Sequence, residues 1–292
     1  MSSLTKLNNV KVKPLEVKTK TKTRFKGKKL FELWCPNIFV LARKNSGKTT
    51  TVQFMIDKCA GKHTQFVLIC STVEKDPSWI DFIDKNEDRI ATFKSIYEDG
   101  ENVLKQFIDE NQSDVIDHGQ AGAGVLPIEP PLNNFKKYQQ TGKGSTNQEL
   151  PKEPEVEKWK YPYPKYVIIM DDLGTEMRDP AVTQLLKTNR HYDCMVIMSS
   201  QSLTDLDKPA RSQLDYMLIF PKIPLDKMKS IKEDLNLSVP LEEFIEMYNK
   251  ATEEKYNFLY ISRNTAQEEY RKNFNERFIE NPHDSNLQGK TS

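Results

Sequence analysis

Two short stretches of this sequence combine the residue types and spacing that chemistry on a phosphate anhydride requires. The first is Ala42-Arg43-Lys44-Asn45-Ser46-Gly47-Lys48-Thr49, followed by Thr50. With alanine at its first position, it otherwise fits the phosphate-binding loop G-x-x-x-x-G-K-[ST]. Gly47 lets the backbone wrap close to an anion without a Cβ in the way. Successive N–H groups and the N-terminus of the following helix then point at that anion. Lys48 has the reach for the β- and γ-phosphates, and the Thr49 hydroxyl suits Mg²⁺.

The second stretch is Tyr166-Val167-Ile168-Ile169-Met170, which runs into Asp171-Asp172. A carboxylate at the end of a buried strand is costly unless something uses it. Asp171 is suited to orient Mg²⁺ and Asp172 to polarise an attacking water as general base. Aspartate is one methylene shorter than glutamate, so Glu176 is a rival base. Gln201 follows Ser199-Ser200 at the tip of a later strand, where a polar side chain can sense a γ-phosphate or hold the water. Arg190 lies just before that strand. It reads either as an arginine finger donated to a neighbouring subunit or as a cation at a helix C-terminus. Arg211 is the competing finger, with an ordinary surface arginine as its alternative.

These residues need a scaffold that brings separate segments to one edge. Six β-rich runs supply it: Asn37–Leu41, Gln65–Ser71, Tyr166–Met170, Cys194–Met198, Tyr216–Phe220 and Tyr256–Ile261. Most are continuous apolar blocks, which suit strands buried on both faces in a parallel sheet. Helical patterns lie between them. Val52, Met55, Ile56 and Cys59 share one helix face. Asp179-Pro180 reads as an N-cap with proline at the first helical position, leading into Val182, Leu185 and Leu186. Pro240 starts another helix bearing Phe244, Ile245 and Tyr248. The alternation predicts an α/β domain.

The chain of 292 residues carries 43 Lys+Arg and 42 Asp+Glu, yet the balance is uneven. The first 30 residues hold ten cations and one anion; the remainder is net −8. Residues 1–30 therefore read as a basic disordered arm, either a polyanion-binding tail or a solvated leader or localisation signal. Residues 31–275 form the catalytic domain, and residues 276–292 a polar tail. Within the domain, residues 119–164 hold 5 of the 11 glycines and 7 of the 16 prolines, the composition of a flexible insertion. No apolar stretch approaches the roughly 18–20 residues that span a bilayer, and no secretory signal is visible. Membrane, secreted and collagen-like classes are thereby excluded. Cys35, Cys59, Cys70 and Cys194 form no C-x-x-C pair and read as reduced; Cys59, Cys70 and Cys194 lie among apolar residues as small buried hydrophobes. The four histidines show no metal-ligand spacing.

Taken in order, the Ala42–Thr49 loop, the VIIMDD strand, Asn189-Arg190-His191-Tyr192, MSSQS, KPARSQLDYMLIF, YNFLYISRN and YRKNF resemble the FtsK–HerA branch of P-loop ATPases. More closely, they are similar to the virion DNA-packaging ATPases of poxviruses, other large nucleocytoplasmic DNA viruses and their virophage or polinton-like relatives. The resemblance covers roughly residues 31–112 and 166–275. It implies a P-loop NTPase fold with core strand order 5-1-4-3-2, the Gln201 strand lying between the strands of the two nucleotide motifs. It implies ATP and Mg²⁺ as cofactors, and a homo-oligomeric ring that pumps double-stranded DNA into a preformed capsid with capsid or portal-vertex proteins as partners. The ring shape favours Arg190 as a finger acting in trans. The implied location is host cytoplasm or viral factory, or the virion itself; the basic arm leaves nuclear targeting open. Ala42 departs from the usual first glycine, but alanine needs only ordinary backbone angles there, so binding should survive. No nuclease constellation follows: Asp226, Glu233, Asp234, Glu242 and Glu243 fall at helical spacings, as on a solvated face. Two other readings stay open, a helicase or other P-loop translocase unrelated to capsids, and a non-catalytic DNA-binding or capsid-associated protein with a vestigial nucleotide site.

Overall fold

The computed structural model describes residues 24–117, 161–263 and 268–279. Its strands are β1 (Asn37–Leu41), β2 (Gln65–Cys70), β3 (Ile90–Phe93), β4 (Tyr97–Glu98), β5 (Glu101–Asn102), β6 (Tyr166–Asp171), β7 (Cys194–Ser200), β8 (Tyr216–Ile219), β9 (Leu259–Ser262), β10 (Glu269–Lys272) and β11 (Glu276–Arg277). Its helices are α1 (Lys48–Cys59), α2 (Pro77–Asp84), α3 (Val103–Asp117), α4 (Pro180–Thr188), α5 (Lys208–Arg211), α6 (Leu225–Leu235) and α7 (Leu241–Ala251). The main sheet runs β11-β10-β9-β8-β1-β7-β6-β2-β3. From β8 to β3 every pairing is parallel, whereas β9, β10 and β11 extend the sheet antiparallel.

The five central strands, counted along the chain without the short edges, stand in the order 5-1-4-3-2 that the resemblance implies. The continuous apolar runs have the expected cause. In β1, Ile38 and Val40 face one core while Phe39 and Leu41 face the other. Helices α1 and α2 cover the first face, through Val52, Met55, Ile56, Cys59 and Trp79. Helices α3, α4, α6 and α7 cover the second, through residues such as Phe107, Leu185, Met228 and Phe244. The Asp179 side chain caps α4 by accepting from Ala181 N at 2.8 Å, and α7 follows Pro240 directly.

Several boundaries differ from the sequence reading. The sixth strand starts at Leu259, because Tyr256 sits in a turn with φ 74°. Strand β3 leaves little mark on the sequence because it is four residues at a sheet edge, and β10 because its sequence is EYRK. Residues 24–30, read as the end of the arm, pack on the domain: Phe25 and Leu30 are buried, and Lys26 N donates to Pro162 O at 2.8 Å. Glu276–Arg277, read as tail, pairs with β10 as β11. Asp234 is not simply a solvated acid, since it holds Arg211. The remainder of the arm, residues 119–160 of the insertion, and residues 118, 264–267 and 280–292 lie outside the described residues. All four cysteines are free and buried.

Candidate active site

Strand register builds the site. Cys70 of β2 stands opposite Asp171 of β6, and Asp171 opposite Ser199 of β7. Side chains alternate across a strand. Asp171 therefore shares the face of Val167 and Ile169, and Ser199 that of Met195 and Ile197, which is the face covered by α1 and α2. The three residues thus form a row at the C-terminal ends of adjacent strands, directly beneath the start of α1.

The phosphate loop leaves β1 at Ala42, which is fully buried, keeps a negative φ and donates its N–H to Ser200 O at 3.0 Å. Alanine in place of glycine is therefore accommodated without strain. Asn45 (φ 59°) and Gly47 (φ 91°) occupy the left-handed region that turns the chain into α1. Gly47 is the N-cap, and no side chain caps the helix; the N–H groups of a first turn have no partner within their helix. The Ser46 hydroxyl is buried without a hydrogen-bond partner. First-turn N–H groups without a partner in their own helix and a buried, unpartnered hydroxyl together fit a bound anion.

Lys48, first residue of α1, reaches both acids: Nζ lies 2.8 Å from Asp171 Oδ1 and 2.7 Å from Asp172 Oδ2. Burial alone would lower the pKa of this ammonium, but Asp171 and then Asp172 outweigh it and hold it above the ordinary value. Asp171 is 4% exposed and is further gripped by the Ser199 hydroxyl on Oδ1 and by the Trp79 indole N–H on Oδ2 at 2.8 Å. The Cys70 thiol faces the same Oδ2 at 4.0 Å. Asp172 is turned outward by a left-handed backbone (φ 51°), while its N–H donates to Ser199 O at 3.0 Å. Two carboxylates and the neighbouring Thr49 hydroxyl make a hard-oxygen donor set, and these carboxylates already share a cation, the Lys48 ammonium. The set fits Mg²⁺.

The other expected site residues divide. Gln201 is exposed just past β7, at the same sheet edge as the loop. Glu176 Oε2 accepts from the Ser95 hydroxyl at 2.8 Å and from Ile96 N at 3.0 Å, so this carboxylate ties the segment after β3 to the segment after β6. Arg190 lies ahead of β7, at the opposite end of the parallel strands from the phosphate loop. It is half exposed and pairs at 2.5 Å with Asp215. The Asp215 carboxylate also accepts from Asn37 N at 2.8 Å. Arg211 is buried; its Nε donates to Leu206 O at 2.9 Å and its Nη1 meets Asp234 at 2.7 Å. Both arginines are paired inside their own chain, Arg190 with Asp215 and Arg211 with Asp234; they differ in that Arg190 is half exposed and Arg211 is buried. Trp79 was not anticipated. It lies 92 positions from Asp171 in the chain, and no local spacing marks it.

Residues 145–280 match the family described as Poxvirus A32 protein. That stretch contains Asp171, Asp172 and Arg190; the phosphate loop lies ahead of it. No curated protein matches. Among solved structures, the genome packaging NTPase B204 from Sulfolobus turreted icosahedral virus 2, in complex with AMP, is 15% identical, with a TM-score of 0.46 over 80% of this chain and 96% of that one. The pCW3 conjugation coupling protein TcpA with ATPγS is 11% identical, with a TM-score of 0.48 over 80% and 59%. The cytoplasmic domain of the Thermomonospora curvata type VII secretion ATPase EccC is 12% identical, with a TM-score of 0.46 over 78% and 24%.

Proposed function

We propose that this chain, similar over residues 145–280 to the Poxvirus A32 protein family, is an ATP-hydrolysing motor that packages a viral genome. One observation carries the reading. Lys48 from the phosphate loop and Asp171-Asp172 from a strand two positions away in the sheet meet within 2.8 Å. A lysine, a hydroxyl and two acids from separate segments are what a triphosphate with its metal requires.

ATP binding exchanges partners in this cluster. The loop N–H groups and Lys48 take the phosphates, and the two acids are released from the ammonium. Thr49 and Asp171 would hold Mg²⁺, which would supply charge neutralisation on the phosphates. Asp172 is the general base: its carboxylate is one-third exposed and, among the described residues, pairs with Lys48 alone, whereas Glu176 is committed to Ser95 and Ile96. Gln201 orients the water at the strand tip.

Arg190 serves a neighbouring subunit. Within its own chain it stands a full strand length from the phosphate loop, about 16 Å for five residues of β1, so only a ring brings it to a γ-phosphate. Double-stranded DNA is the substrate moved, with capsid or portal proteins as the docking partner. Among the described residues no helix is long and apolar enough to cross a membrane.

The deciding measurement is the ATPase rate of a size-defined oligomer with and without double-stranded DNA. Stimulation by duplex and not by single strands is expected. Hydrolysis driven only by single strands would replace the packaging reading with a helicase, and no hydrolysis in either case would remove the motor.

A further inference from the structure

Tyr256 occupies a position the hydrolysis chemistry does not explain. It lies in the turn before β9. Because β9 runs antiparallel to β8, with Leu259 opposite Ile219, that turn stands at the sheet edge where the phosphate loop begins. Its backbone has φ 74°, a conformation that a bulky side chain adopts only when its surroundings enforce it. The result is an aromatic ring laid along the loop: a Cβ on Gly47 would stand 3.0 Å from Tyr256 Cδ1. The contact adds a steric demand for glycine at 47 to the conformational one. Yet the ring is not consumed by this packing, since Tyr256 remains 53% exposed. The Lys255 ammonium stands 4.5 Å from its centroid, so the ring already receives a cation by its π-system.

A strained, half-exposed aromatic against the loop that holds phosphates is placed for the part of a nucleotide that is not phosphate. We propose that Tyr256 is the platform on which the nucleobase stacks, with the flexible Lys255 side chain moving aside. The inference rests on the phosphate-loop reading and deepens it. Stacking uses the π-face that every base has and does not read base edges. Tyr256 therefore strengthens ATP and GTP binding alike and contributes nothing to a ligand without a base.

The test is calorimetric titration of the full chain with ATP, GTP and inorganic tripolyphosphate, each with Mg²⁺. Tyr256→Gly removes the ring and relaxes the positive φ; Tyr256→Phe keeps the ring. Expected for Tyr256→Gly is about tenfold weaker binding of both nucleotides, with tripolyphosphate affinity within twofold of wild type and Tyr256→Phe close to wild type. A 2-aminopurine nucleoside triphosphate supplies a second readout: quenching of its emission on binding should vanish in Tyr256→Gly and persist in Tyr256→Phe. Equal losses for ATP and tripolyphosphate would mean that the ring merely supports the loop, and unchanged nucleotide affinity would mean that the base lies elsewhere; either overturns the proposal while leaving the phosphate site intact. If the folded wild-type chain binds neither ATP nor tripolyphosphate, the phosphate-loop reading itself fails and this inference with it.

Discussion

The indole N–H of Trp79 donates to Asp171 Oδ2 at 2.8 Å, so a fully buried tryptophan on α2 fixes the plane of the carboxylate that closes β6. With the Ser199 hydroxyl and Lys48 on the other oxygen, Asp171 is held from three sides. Trp79 is thus a positioning residue for Asp171, the acid proposed to orient the metal. Trp79→Phe preserves the aromatic packing against Phe82 but deletes the donor. Leaving that buried oxygen short of a donor should cost about 2 kcal/mol of stability. Outer partners of metal ligands typically govern affinity by tenfold or more. The Mg²⁺ concentration for half-maximal ATPase should therefore rise about tenfold, while nucleotide binding in EDTA stays near wild type. A Mg²⁺ titration of purified Trp79→Phe decides the point.

Lys48, the proposed phosphate contact, is also a structural cation, paired with Asp171 and Asp172. Lys48→Met keeps the stem but leaves Asp171 buried beside Asp172 without their shared cation. Breaking such a pair from one side should cost about 3 kcal/mol, and ATP binding should be lost. Adding Asp171→Asn should recover part of the stability and none of the binding. The pH dependence follows from the raised lysine pKa. Lys48 stabilises the fold fully below its ordinary value of 10.5, and that contribution is lost as pH rises through the higher native value. The gap in urea midpoint between wild type and Lys48→Met should stay level from neutral pH to about 10 and close above it.

What the sequence made legible was whatever depends on local pattern. The phosphate loop is contiguous, and the strands on either side of the site are unbroken apolar blocks because both faces of β1, β6 and β7 are buried. The Asp179 cap and the buried face of α1 follow from spacing of one helical turn. Strand order is not local; it came from resemblance. The edge strand β3 was illegible because an edge needs neither length nor apolar alternation, and β10, one strand in from the other edge, because EYRK is mostly charged. The arginines show the deeper limit. Arg190 and Arg211 look equivalent in sequence, and only tertiary pairing with Asp215 and with Asp234 separates an exposed cation from a buried one. Trp79 reads as core in any sequence pattern; that its N–H meets a carboxylate is visible only once α2 is seen to lie over β6.

The two candidate bases should separate cleanly. Asp172→Asn keeps the shape and the hydrogen bond from its N–H but cannot take a proton. Turnover should fall by at least 100-fold with ATP affinity little changed. Glu176→Gln weakens the acceptor for Ser95 and Ile96, so its effect should appear as about 1 kcal/mol of stability and at most a few-fold loss in turnover. Single-turnover hydrolysis by each variant, with bound ATP measured in parallel, distinguishes them. The reverse pattern would move the base to Glu176.

The arginine assignment predicts the behaviour of mixtures. Arg190→Ala should leave ATP binding intact and lower hydrolysis by about 1,000-fold, since on this assignment the charge that meets the transferring phosphoryl group comes from the next subunit. Arg211→Ala should instead lose about 3 kcal/mol of stability, since Asp234 is left without its partner, while the folded fraction hydrolyses ATP normally. A subunit carrying Arg190→Ala retains a complete phosphate site, and one carrying Lys48→Ala retains a complete finger. Mixed in one ring, the two inactive proteins should regain partial activity at every junction where an intact loop faces an intact Arg190. A merely structural Arg190–Asp215 pair gives no such recovery, because each defect would then stay inside its own chain. Rings assembled from equal amounts of the two variants and assayed for ATPase against each variant alone make the distinction, and activity no greater than that of the separate variants would remove Arg190 from the site.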